Sequence, residues 1–393
     1  MTIAVGAARV AITPQQPCHL AGYGARDHAS EGVHDPLHLR ALWAEGTDGT
    51  PALLISADIL WFGRQVADRI RAEAQTELGL PPARVFLAGT HTHSAPCTAA
   101  RGNEEWTAAL VDRALAAAAL ARGRIRPARL RLHRGASHIG INRREQRPGG
   151  EVVLGQNPDG PIDRELLVVA VDGGDGRPVA RLVNFACHGV VMDDVNYRVS
   201  GDWPGFAAGL LERRLECPFL FLNGGAGNVN SRVGPQGDFA PMEALAEEFA
   251  ANCLAALKRR GKPLDAGDGV LSGIETSLAL PRKPGEIERG KGRLAPVTLH
   301  GLRIGGVCLA GYPGEMFSET AMAVKQAAPR PATLVCSYVH GGDAGYVPVR
   351  EAYDTGGYEV GASPYSEAAE PVLRAGLVEL CARLDAGGGG AKR

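Results

Sequence analysis

The sequence is short of several things, and each shortage removes a class of function. Aromatic residues make up only 5% of the 393 positions. A pocket for an acyl chain could be aliphatic, but no broad aromatic surface is on offer. Neither charge sign prevails: 42 Lys+Arg stand against 43 Asp+Glu, a net of -1. No basic field exists to hold nucleic acid or an anionic membrane surface. No apolar run is long enough to span a bilayer, so no stable membrane insertion is expected. The first fourteen residues, Met1 to Pro14, carry no basic leader, no long apolar stretch and no export-cleavage context. They read as a first strand, and no signal peptide is expected. None of the eight cysteines forms a Cys-x-x-Cys pair. In a chain of this size they are expected to be free thiols, several of them buried, and the compartment cytoplasmic.

What is present is a repeated grammar of short apolar run and amphipathic helix. Residues 52–56 and 84–89 read as buried strands, with a helix over 63–78 between them. Gly79 is its expected C-cap, and Pro81 and Pro82 end it. A second helix is expected over 104–122. The later part repeats the pattern: strands at 166–172, 179–187 and 218–222, helices at 205–215 and 241–258, a hairpin over 297–311, a helix over 315–328 and a strand over 333–339. This alternation predicts an α/β fold with a mixed, largely parallel sheet covered by helices. Two pseudo-similar lobes are conceivable within one catalytic domain, residues 1–386. Residues 145–163 and 283–293 read as surface loops or lids, and 387–393 as a disordered tail.

The polar outliers cluster just after the apolar strands. His91-Thr92-His93-Ser94 follows one, His188 another, a Gly/Asn loop from Asn223 to Ser231 a third, Pro313-Gly314-Glu315 a fourth, and His340 to Tyr346 a fifth. In open α/β sheets ligands bind beyond the carboxyl ends of strands, so these ends point to one shared pocket. His91 and His93 are two apart, which in extended backbone puts both imidazoles on one side. One could bind a metal and the other handle protons. The spacing is not the helical His-Glu-x-x-His zinc motif. The Gly224 to Gly227 run lacks the lysine and Ser/Thr of a phosphate loop and the spaced glycines of a dinucleotide fold, so nucleotide binding is not expected.

His91-Thr92-His93-Ser94-Ala95-Pro96 resembles the His-Thr-His-Ser-Gly-Pro motif of the neutral/alkaline ceramidase family. Further segments agree in family order: Ser56-Ala57-Asp58, Gly140-Ile141-Asn142-Arg143, Asn184-Phe185-Ala186-Cys187-His188-Gly189 with Ser200-Gly201-Asp202 after it, Pro313-Gly314-Glu315, Gly345-Tyr346, and Tyr358-Glu359. The resemblance spans roughly residues 34–361. It implies the family's catalytic-domain fold and one Zn²⁺ held by His91, His188, Glu315 and Tyr346. It implies hydrolysis of an N-acyl amide by a metal-activated water. His93 is then the proton shuttle, with Tyr358 and Arg143 stabilising the oxyanion or orienting the substrate. Two departures stand out. The family loop reads Asn-Ala-Gly-Asp-Val-Ser-Pro-Asn, and its serine falls here on Asn230, a hydrogen-bond donor, with Ser231 next door. The chain also ends soon after Tyr358, without room for the family's C-terminal β-sandwich. The expected substrate is therefore a small molecule other than ceramide, a smaller or more polar N-acyl compound.

Blander readings exist for each residue. Glu315 could favour a helix N-terminus. Tyr346 and Tyr358 could be core aromatics with a wet edge. Arg143 could be surface charge, and His93 could merely orient another group. Asp58 is expected to be structural, a cap or hydrogen-bond acceptor, and His34 and His38 structural or pocket-lining. The alternatives to amide hydrolysis are an ester or lactone hydrolase or an acyltransferase using the same zinc, and a non-catalytic binding protein that keeps the fold.

Overall fold

A computed structural model describes residues 3–264 and 269–387. The glycine-rich tail lies, apart from Gly387, outside the described residues.

The predicted apolar runs form strands because nearly every residue in them is buried. Pro51–Ala57, Val85–Gly89, Phe219–Asn223 and Val307–Gly311 are buried on both faces. The first helix runs Arg64–Leu78, burying Val66, Ala67, Ile70 and Ala74 at helical spacing. Gly79 ends it as expected, in the left-handed conformation (φ 70°), donating its N–H to Ala74 O. The second helix, Glu104–Arg122, has the expected bounds.

One arrangement recurs three times. Three strands form an antiparallel meander, the third leads through a helix into a parallel fourth strand, and a second helix follows. The first unit comprises strands Ala4–Ala11, His38–Glu45, Pro51–Ala57 and Val85–Gly89, with the two helices just described. The second comprises Arg126–Ala136, Glu165–Gly173, Pro178–Phe185 and Phe219–Asn223, with helices Asp202–Leu215 and Phe239–Lys258. The third comprises Leu271–Pro281, Leu294–Ile304, Val307–Gly311 and Thr333–Cys336, with helices Ser318–Ala327 and Ala369–Asp385. The first two units join through Ala4–Ala11 and Arg126–Ala136 into one large sheet, while the third forms its own.

Side-chain alternation then sorts the core into layers. Leu42, Leu54, Phe86, Leu182 and Leu222 face Leu302, Leu309 and Leu334, so the sheets pack against each other. The neighbours Leu53, Ile55 and Leu87 point the other way, onto Ile70, Leu110 and Val111 of the helices. Val183 and Phe221 do the same against Trp203, Leu211 and Phe249. Val335 and Leu299 meet Leu373 and Leu377 on the outer side of the small sheet. The result is helix, sheet, sheet, helix.

The mixed α/β class is as predicted, with three differences in detail. Parallel pairing in the large sheet is confined, among the described residues, to its two outermost pairs. The rest is antiparallel; the short connections at 46–50 and 174–177 can make only hairpins, while the other antiparallel pairs are joined over longer segments. The recurring unit appears three times rather than in two lobes. Residues 145–163 are not a loop: Gly140–Gln146 and Val152–Asn157 form a hairpin that pairs with Val229–Ser231. Gly140–Gln146 is rich in polar residues, and Val152–Asn157 is only partly covered, so neither reads as a buried strand. All eight cysteines are free, and all but Cys97 are buried. No helix of the described residues is long and apolar enough to cross a membrane.

Candidate metal centre

The three units bring their strand ends to one place. Two residues beyond Val85–Gly89, His91 takes the left-handed backbone conformation (φ 69°), with its N–H donated to Ile59 O at 3.0 Å. A non-glycine residue held there costs about 1–3 kcal/mol and persists only where its surroundings dictate it. The turn leaves His91 Nε2 3.2 Å from His93 Nε2. His188 lies just beyond Pro178–Phe185, where Trp203 Nε1 donates to its carbonyl at 2.7 Å. Glu315 and Tyr346 come from the third unit, on two short parallel strands, Glu315–Met316 and Tyr346–Val347, in which they are direct register partners. Glu315 therefore precedes the helix Ser318–Ala327 rather than opening it, contrary to the expected helix over 315–328. Pairing with Tyr346 takes this segment into a small two-stranded sheet of its own.

The donor atoms converge. One ligand atom each of His91, His93 and His188 lie within 4.8 Å of one another, so the three could hold a metal ion. Glu315 Oε2 is 3.1 Å from His188 Nε2 and 3.8 Å from His91 Nε2. Tyr346 lies directly opposite Glu315 in the strand register. Both His188 and His91 turn Nδ1 to a backbone carbonyl, Ala226 O at 2.8 Å and Leu60 O at 3.3 Å. That fixes the proton on Nδ1 and leaves the Nε2 lone pair facing the shared centre, the usual arrangement of a metal-binding imidazole. Burial pushes the pKa of His91, His93 and His188 well below the ordinary imidazole value, so all three are neutral at pH 7. Burial also raises Glu315 and Tyr346, in each case against the pull of the Arg143 guanidinium. Neutral nitrogens, a carboxylate and a phenol whose ionisation awaits a positive charge are a donor set that fits a divalent cation.

Arg143 borders this centre. The hairpin register slips between Asn142 and Arg144, so that Gly155 and Gln156 together face Arg143. Such a bulge re-aims a side chain. Buried Arg143 donates from Nη2 to Tyr346 OH at 3.0 Å and points Nη1 at His188 Nε2 and Asn230 Oδ1, both at 3.3 Å. It is not surface charge. Asn230 thus accepts from Arg143 through its carbonyl oxygen, where the sequence suggested a donor. Ser231, next along the strand, faces away and donates its hydroxyl to Val233 O at 2.5 Å. Tyr358, 52% exposed, stands edge-on to Tyr346 at 5.8 Å between centroids, with the Arg143 guanidinium 5.7 Å from its own ring.

Residues 3–219 match the family described as neutral/alkaline non-lysosomal ceramidase, N-terminal. The chain belongs to that family. Among curated relatives, neutral ceramidase A of Dictyostelium discoideum is 25% identical over 286 residues, 68% of this chain and 38% of that protein. The neutral ceramidase of Mycobacterium tuberculosis is 26% identical over 219 residues, 50% of this chain and 33% of that protein. The chain therefore spans about a third of the length of the curated ceramidases it matches. The crystal structure of neutral ceramidase from Pseudomonas aeruginosa superposes with a TM-score of 0.82 at 19% identity, covering 98% of this chain and 74% of that one. The ceramidase fold is thus present almost throughout.

Other strand-end residues of this ceramidase-family chain are structural, as expected. Asp58 accepts two bonds from Arg40 and one from the His38 N–H. His34 stacks on Phe239 at 3.7 Å and bonds Asp35. Two residues at the centre escaped the sequence reading as functional. Tyr338 stacks flat on His91 at 3.6 Å and reaches Glu315 Oε2 at 3.5 Å. Glu359 holds Arg143 Nε at 2.7 Å. An aromatic at a strand end beside other chemistry-bearing residues was the available signal for the first, and the Tyr358-Glu359 pair for the second.

Proposed function

We propose that this chain is a zinc-dependent hydrolase of an amide bond in a small N-acyl compound, with His91, His188, Glu315 and Tyr346 as the zinc ligands. The observation that carries the reading is the convergence of two Nε2 lone pairs, each fixed by an Nδ1–H on a carbonyl, onto the Glu315 carboxylate. When bound, zinc supplies Lewis acidity toward a carbonyl oxygen and lowers the pKa of a water molecule.

The chain's own residues supply the rest. Amide hydrolysis needs a stabilised oxyanion and a proton for the leaving nitrogen. His93 is the residue for proton transfer rather than a ligand. It is only half-buried, and its Nδ1 has no hydrogen-bond partner. Unlike His91 and His188 it is free to exchange tautomers, so it can take a proton at one nitrogen and give it up near the leaving amine. Arg143 and Tyr358 supply donors at one side of the centre for developing negative charge. Asn230 holds Arg143 Nη1. No serine takes this place, and Ser231 faces away, which favours attack by water over a serine acyl-enzyme.

The substrate is smaller or more polar than ceramide in this reading. The wall beside His93 is made by Gly22, Tyr23 and Arg26, the last donating to His93 O at 2.6 Å and lying over Tyr23 at 4.9 Å. The test is zinc-loaded enzyme against amides that run from short, polar N-acyl compounds to long-chain ceramide, with matched esters. Turnover of amides, fastest for short or polar ones, is the expected result. Best turnover on long-chain ceramide contradicts the substrate assignment, and turnover of esters alone contradicts the reaction.

A further inference from the structure

Glu359 is 1% exposed and sits between two arginines. Its Oε1 accepts from Arg143 Nε and its Oε2 from Arg144 Nη1, each at 2.7 Å. Consecutive strand residues ordinarily point to opposite faces. One carboxylate grips both here, beside the slip in the hairpin register. Arg144 is tied down in turn by Gly356 O at 2.7 Å and Thr355 Oγ1 at 3.1 Å, in the turn that leads into the Tyr358–Ala362 helix. Glu359 is thus fixed from both sides, and it belongs to the helix that carries Tyr358.

The guanidinium is planar, so a carboxylate on Nε sets the directions of Nη1 and Nη2. Those two nitrogens are the ones aimed at Tyr346 OH, His188 Nε2 and Asn230. The carboxylate also neutralises a cation that is otherwise buried beside neutral imidazoles. We propose that Glu359 is a positioning residue: it fixes the plane of Arg143 at the centre and, through the shared short helix, couples that plane to the placement of Tyr358. This rests on the function proposed above and names the element that sets the geometry of its oxyanion side.

The test has two readouts, one independent of turnover. In a crystal structure of Glu359→Gln, Arg143 is expected to swing out of line with Tyr346 OH. In kinetics on a short-chain fluorogenic N-acyl amide, kcat is expected to fall by about 100-fold, the scale of a small misplacement, with KM changed by less than about threefold. The double variant Arg143→Ala/Glu359→Gln is expected to be no slower than Arg143→Ala alone, since Glu359 acts through Arg143. A residue that only supports folding gives losses that multiply. If Glu359→Gln does not fold, Glu359→Asp keeps the charge but withdraws it, and a smaller loss of about tenfold is expected. Arg143 unmoved in the variant, unchanged kcat, or multiplying losses overturns the proposal. Absence of amide turnover by the parent enzyme overturns the functional reading instead, and the position of Arg143 in the crystal still decides the role of Glu359.

Discussion

Two of the buried polar clusters among the described residues are built on opposite principles. One joins Arg40, Asp58, Glu212 and Arg9 across the large sheet. Arg40 is fully buried, donates to both oxygens of Asp58 at 2.8 and 2.9 Å, and donates through Nε to Glu212 Oε1 at 2.8 Å. Glu212 also accepts from Arg9 at 2.9 Å, and from the Phe219 N–H at 3.1 Å. Charges balance and donors match acceptors, so this cluster is closed. The other is the centre around His91, His93 and His188, where nitrogen faces nitrogen at 3.2 Å and a buried imidazole nitrogen has no partner. A closed cluster is a structural device, and an open one requires something from outside to complete it.

That contrast can be broken by mutation. The largest effects are expected at the open cluster: His91→Ala and His188→Ala each lose bound zinc and lower kcat/KM by more than about 100-fold, which is what loss of a mere supporting partner reaches. Metal analysis and steady-state kinetics check this. Full activity in either variant removes the distinction. At the closed cluster the cost is stability. Asp58→Ala leaves Arg40 half-paired in the interior and is expected to cost about 3–5 kcal/mol in urea unfolding, while zinc content stays unchanged in the folded protein.

Acid separates the two further. Burial acts to raise the Glu212 pKa, but Arg40 and Arg9 outweigh it and hold the carboxyl below its ordinary value. A depressed carboxylate contributes stability that is present above its unfolded pKa and is lost as pH falls through the folded one. Stability from this pair should therefore hold at neutral pH and fade below about pH 4. In Arg40→Met that contribution shrinks to what Arg9 and the Phe219 N–H still supply, which unfolding curves over pH 3–7 would reveal; an unchanged acid slope contradicts it. The smallest effect is expected for Asn230→Ser, which puts a hydroxyl where the family carries its serine. Zinc content should stay the same and kcat change by less than about tenfold, because Asn230 supports Arg143 rather than attacking substrate. A large gain in rate would instead point to serine chemistry.

Much of this architecture was legible in the sequence, for physical reasons. Strands buried on both faces read as continuous apolar runs, and helices with one buried stripe read by period. The strand-end placement of His91, His188 and Glu315 followed from polar residues interrupting those runs, and the resemblance to ceramidases joined them into one set. What escaped was whatever depends on pairing. The hairpin at 140–157 is only partly covered and so lacks a buried apolar pattern, and Glu315 enters a strand only because Tyr346 lies alongside it. Glu359 acts on a residue 216 positions away, and no local pattern marks such a contact.

The central claim is that four side chains share one cation. Anomalous diffraction at the zinc absorption edge from zinc-loaded crystals tests it most directly. The account predicts a single strong peak bounded by His91 Nε2, His188 Nε2, Glu315 Oε2 and Tyr346 OH, with His93 beside it and unbound. A peak ligated by His93 in place of Tyr346, or no peak among these residues, would contradict it.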